Sequence, residues 1–130
     1  MSRIEEIAKK IAEDVNLREI IAKLIQYPGF DEAVFLIASG AVKRYIFEPS
    51  GRIIWIIVGG EHEYIVYDDV DYCSCMNFYI NAIILGKIDA CQHLIAKYLA
   101  ESLKMYEEIK VDDALFDTFM GEWKSVLREV

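Results

Sequence analysis

Five side chains in this sequence could bind a soft metal ion: Cys73, Cys75, Cys91, His62 and His93. Four of them fall into two pairs of the form ligand-x-ligand, Cys73-Ser74-Cys75 and Cys91-Gln92-His93. With so few Cys and His residues, that arrangement arises by chance on the order of once in a thousand sequences. Residues i and i+2 of a strand face the same side, so Cys73 and Cys75 can grip one ion together. In a helix interior i and i+2 diverge, so Cys91 and His93 must lie where the chain enters a helix. Asp89-x-x-Gln92 has the form of a capping box at that place, and a helix N-terminus favours the thiolate of Cys91. Three sulfurs and one nitrogen make a filled tetrahedral Cys₃His set, the chemistry of one structural zinc ion. A filled set leaves no position for an activated water, which disfavours a hydrolytic role. The alternatives are three buried thiols beside an ordinary histidine, or a redox Cys-x-Cys that leaves the second pair unexplained. His62 follows Gly59-Gly60 and is expected to be exposed.

The elements that must position these ligands show a change of period along the chain. Ser2-x-x-Glu5 opens a helix with Ile4, Ile7, Ile11 and Val15 at helical spacing, and Asn16-x-x-Glu19 restarts it with Leu17, Ile20, Ile21, Leu24 and Ile25. Pro28-Gly29 stops it. Asp31 is the expected N-cap of a short helix over 32–39, ended by Gly40. Strands follow over 42–48, 52–58 and 63–67, with a short one over 72–75, separated by Pro49-Ser50-Gly51, Gly59-Gly60 and the acidic turn 68–71. The run Ile53-Ile54-Trp55-Ile56-Ile57-Val58 is apolar on both faces, which suits a central strand covered by helices on both sides. After a mixed segment a helix is expected over 90–108. Asp112 and Asp113 then favour the start of a last helix, with Phe116, Phe119, Met120, Trp123, Val126, Leu127 and Val130 on one face. That stripe reads as core packing or as a surface for a partner.

The chain has 130 residues, 55% of them hydrophobic and 28% charged, which suits one domain with an ample core and no sign of disorder. No secretory leader is recognisable and no apolar run is long enough for a bilayer, so a cytoplasmic protein, nuclear in a eukaryote, is expected, with no membrane association. An odd cysteine count argues against a fully paired disulfide framework. Net charge is −8. The excess lies in residues 28–72, with three basic against eight acidic groups, and in 111–130, with two against five. Such a surface repels a phosphate backbone except where positive groups cluster.

The ligand pattern resembles the SWIM zinc finger, in which Cys-x-Cys and Cys-x-His are joined by a variable spacer in a β-β-α arrangement. Tyr64-Ile65-Val66 resembles its first strand, Cys73-Ser74-Cys75-Met76-Asn77-Phe78 its second strand and knuckle, and Cys91-Gln92-His93-Leu94-Ile95-Ala96 its helix start. Ala38-Ser39-Gly40-Ala41-Val42-Lys43 looks like the helix-Gly-strand entry of such proteins. The resemblance covers about residues 31–100. Three features depart from it: an apolar spacer of fifteen residues from Met76 to Ala90, Asn77 where Asp is frequent, and Gln92 where a basic residue is common.

The resemblance implies an α+β fold: an antiparallel β-meander with a ββα zinc finger (31–110), an N-terminal helical arm (1–30) and a C-terminal helix (111–130), all one domain. Among SWIM proteins, a chain this short is most similar to stand-alone archaeal members and to Shu-type recombination accessory factors. It implies a zinc-stabilised adaptor, not an enzyme, that binds a RecA-type recombinase paralogue and assists homologous recombination or DNA repair. The segment Ile80 to Ile88 then supplies partner contacts or folds over the core. A homo-oligomer is compatible with this reading. The alternative is direct binding of single-stranded DNA, through Lys43, Arg44, Arg52 and Lys87 with Tyr72, Phe78 and Tyr79 as stacking surfaces.

Overall fold

The computed structural model describes residues 3–59, 62–67 and 72–124. Helices α1 (Arg3–Glu13) and α2 (Val15–Leu24) meet at Asp14, whose carboxylate accepts the backbone N–H of Asn16 at 2.8 Å and of Leu17 at 3.2 Å. Asp14, and not Asn16, is therefore the cap. The break turns Val15 outward, where it is 60% exposed, while Ile7 and Leu17 enter the core. Helix α3 (Phe30–Ala38) begins two residues earlier than the sequence suggests, because Gly29 adopts φ +93° and serves as N-cap in place of Asp31. A side chain there would also press on Gln92, 3.1 Å from the position of a Cβ.

Strands β1 (Val42–Glu48), β2 (Arg52–Gly59), β3 (His62–Tyr67) and β4 (Tyr72–Cys73) form the expected antiparallel meander. Strand β4 is shorter than the expected 72–75, because the chain bends at Cys75. Helix α4 (Gln92–Leu103) ends five residues before the sequence suggests. Its C-cap, Lys104, takes a left-handed conformation (φ +57°), and Lys10 of α1 donates to the Leu103 carbonyl at 2.8 Å. This satisfies an orphan carbonyl and places a cation at the negative end of the helix dipole. The residues freed by that stop form β5 (Glu107–Asp112), which pairs in parallel with β1 and gives the strand order β4-β3-β2-β1-β5.

Strand β2 is buried on both faces over Ile54–Ile57, as its apolar run requires, while Ile53 at its start is exposed. Trp55 and Ile57 face α3 and α4, together with Val42, Val66, Leu94, Ile95 and Leu99. Ile54 and Ile56 face the opposite side with Phe47, Ile65 and Trp123. That second layer is closed by a 3₁₀ turn (Asp113–Leu115) and helix α5 (Phe116–Lys124). Asp112 caps the turn by accepting the Ala114 N–H at 2.8 Å, and Asp113 accepts from Ser50 N–H and Oγ, tying the β1–β2 turn to the helix start. Phe116, Phe119, Met120 and Trp123 thus pack on the sheet; Val126, Leu127 and Val130 lie outside the described residues. Trp123 also donates from Nε1 to Glu63 at 2.8 Å. Lys97 is fully buried in the other layer, its ammonium 3.3 Å from Glu101 and over the rings of Tyr98 and Trp55.

Candidate metal centre

The two ligand pairs reach one point from opposite directions. Strand β4 delivers Cys73 beside Val66 of β3. Ser74 then continues the ladder: its N–H donates to the Ile65 carbonyl and its Oγ accepts the Ile65 N–H, both at 3.0 Å. With both bonds made, the chain bends at Cys75, whose sulfur lies within 4.8 Å of that of Cys73. The second pair comes from the start of α4. Cys91 is its N-cap, in extended conformation, and His93 lies in the first turn. The capping-box reading that made Asp89 the cap is thereby corrected: the cap is Cys91, which the metal geometry requires at the helix entrance.

Cys73, Cys75, Cys91 and His93 are all buried, and their donor atoms lie within 4.8 Å of one another. His93 Nδ1 is 3.6 Å from the Cys73 sulfur and 4.0 Å from the Cys91 sulfur. A tetrahedral zinc ion with bonds of about 2.3 Å to sulfur and about 2.0 Å to nitrogen would set sulfur–nitrogen separations near 3.5 Å. The cluster thus fits one structural zinc ion, held through Nδ1 of His93. His62 is not among the ligands; it sits half-buried on β3, its ring 6.1 Å from that of Tyr64.

The electrostatics point the same way. Three thiols this close cannot all ionise without a cation. Hydrogen bonds with Cys75 and Cys91, together with burial, push the Cys73 thiol far above its ordinary value. Hydrogen bonds with Cys73 and Cys91 draw Cys75 far below it, and the Phe78 N–H donates to its sulfur at 3.3 Å. For Cys91 the bond with Cys73 lowers the value, but the bond with Cys75 and burial outweigh it, leaving the thiol pushed up to about 12. A divalent cation removes this conflict by stabilising all three thiolates.

Around the ligands, the structure explains two departures in the sequence and supplies one element that local pattern does not reveal. Asn77 donates to the Gln92 side-chain oxygen at 2.9 Å and accepts from Asn81 at 2.7 Å, so the knuckle is bonded to the start of α4 beside the metal. Part of the spacer packs on the core, through Phe78, Ala82, Ile88 and Ala90. Residues Phe78–Ile84 form a π-helix, a rare geometry that is frequent at functional sites. Phe78 anchors it from below, while Ile80, Ile83, Ile84 and Leu85 are 40–58% exposed.

The basic and aromatic residues of the alternative reading are largely engaged elsewhere. Lys43 pairs with Glu107 at 3.2 Å and Arg44 with Glu108 at 3.7 Å, across the β1–β5 ladder. The Arg52 guanidinium lies 4.5 Å above the Phe116 ring. Tyr72 packs against Phe78 and Tyr67, which leaves Tyr79 as the exposed member of the three. Lys87 is exposed. No helix among the described residues is long and apolar enough to cross a membrane.

No family model matches the chain, and no solved structure matches it with comparable significance. Curated proteins do. The chain is 29% identical over 97 residues to the zinc finger SWIM domain-containing protein 7 homolog of Dictyostelium discoideum, covering 71% of this chain and 62% of that protein. It is 30% identical over 81 residues to zinc finger SWIM domain-containing protein 7 of Homo sapiens, covering 61% and 58%. The Mus musculus protein of that name is 32% identical over 85 residues, covering 62% and 55%. The chain therefore spans less than two thirds of the length of these relatives.

Proposed function

We propose that this chain, which resembles SWIM-type zinc-finger proteins in its sequence and its Cys₃His cluster, is an adaptor that docks a RecA-type recombinase paralogue and assists homologous recombination or DNA repair. In this reading the metal is structural and the chain performs no catalysis. One observation carries the adaptor role: the apolar π-helix exposed between the two ligand pairs. Ile80, Ile83, Ile84 and Leu85 face water, although burying each would yield about 1.5–3 kcal/mol. Zinc fixes the chain at Cys75 and Cys91, on either side of this segment. The helix is thereby ordered before it meets a partner, which lowers the entropic cost of association.

The choice of a RecA-type partner rests on the family resemblance. The ion pairs Lys43–Glu107 and Arg44–Glu108 favour an adaptor over direct DNA binding, because they neutralise the main basic residues. The test is capture of partners by the native protein from its source cells, with and without nuclease. A RecA-type ATPase that survives nuclease is the expected outcome, and Ile83→Asp with Ile84→Asp should abolish its capture without loss of zinc. Partners that vanish with nuclease would overturn the adaptor reading in favour of nucleic-acid binding.

A further inference from the structure

We infer that a groove between α3 and the start of α4 seats a basic and apolar segment of the partner protein. This inference rests on the adaptor reading above. The groove holds about 320 Å³ and is lined by Asp31, Glu32, Phe35, Leu36, Gln92 and His93. Its character follows from the helical spacing of α3. Ala33 and Ile37 turn into the core, so Asp31, Glu32 and Phe35 share the outer face. Phe35 is 69% exposed, more than any other large apolar side chain among the described residues. Neither Asp31 nor Glu32 forms an ion pair among the described residues.

The far wall is rigid. His93 is held as a metal ligand, and the Gln92 side chain is bonded to Asn77. Gly29 packs its backbone against Gln92, which sets the spacing between α3 and α4. An exposed aromatic ring beside two unpaired carboxylates, over a fixed wall, suits a partner residue pair of one apolar and one Lys or Arg side chain. Charge complementarity excludes the anionic occupants: a nucleic acid or an anionic lipid would meet Asp31 and Glu32 head on. The acidic excess of residues 28–72 adds a longer-range field of the same sign.

The experiment measures the affinity of the full chain for the RecA-type ATPase it captures, with zinc content and melting temperature followed in parallel. Two variants probe the groove: Phe35→Ser, and Asp31→Lys with Glu32→Lys. Glu13→Lys with Glu19→Lys is the control, since it makes the same change of net charge at exposed positions on α1 and α2. Each groove variant should weaken binding on the order of tenfold or more, with zinc and melting temperature unchanged and the control binding as wild type. Groove variants that bind as wild type, or a control that weakens binding as much, would overturn the groove while leaving the adaptor reading intact. A wild-type protein that captures no RecA-type ATPase would sink both.

Discussion

The ring of Tyr64 lies over that of His93, with centroids 4.4 Å apart and planes inclined by 24°. Tyr64 comes from β3 and His93 from α4, so the stack clamps the one nitrogen ligand to the sheet. Gly59 makes room for it: a Cβ there would lie 3.3 Å from Tyr64 Cε2 and 3.8 Å from His93 Nε2.

This arrangement gives the first prediction. Tyr64→Ala or Gly59→Val should lower zinc affinity roughly tenfold or more, in the range seen when outer partners of a ligand are removed. Tyr64→Phe should retain it. Competition with a chromogenic chelator measures the change; equal affinities in all three variants would show that the stack plays no part in holding the ligand.

Removing the metal itself should be far more damaging. Binding energy in a site of this kind is folding energy. Cys91→Ser, or a strong chelator, is expected to lower the melting temperature by about 10 °C or more. A variant that melts as the native protein and still purifies with one zinc ion would contradict the ligand assignment.

Ser74→Ala isolates the knuckle from the metal. The substitution leaves all four ligands in place but strands the Ile65 N–H, which Ser74 Oγ now accepts in a buried position. A loss of about 1–3 kcal/mol is expected from an unpaired buried donor, read from denaturant unfolding of the zinc-loaded protein.

The strands of the meander and the grouping of Cys73, Cys75, Cys91 and His93 were legible in the sequence, because both are written locally. Strands β1 to β3 announce themselves through turn residues and β-branched runs, and the ligands through their spacing. Strand β5 was not legible. Glu107-Glu108-Ile109-Lys110-Val111-Asp112 carries two apolar residues, and its partner β1 lies about sixty residues upstream. The preceding helix ends at Lys104, without the glycine that usually marks such a stop. The π-helix was equally hidden, since its apolar pattern is that of a core segment while its position beside the knuckle leaves it exposed. At Asp14 the difficulty was competition between two capping residues, Asp14 and Asn16, two positions apart.

The C-terminal stripe offers a fourth prediction. Trp123 is 2% exposed and packs edge-on against Tyr45 and Phe47 and at a tilt against Phe119. Trp123→Ala should therefore cost about 3–5 kcal/mol of stability. An unchanged unfolding free energy would mean that α5 belongs to an interface and not to the core.

The strand order has a consequence for how this protein can meet others. One margin of the sheet is β5, in which four of six residues are charged. The opposite margin, β4, is two residues long and continues directly into the metal-bound knuckle. A charged border and a truncated one both resist strand addition by a second chain. Recruitment by backbone pairing is thus disfavoured at both margins, which shifts recognition of this protein toward its side chains.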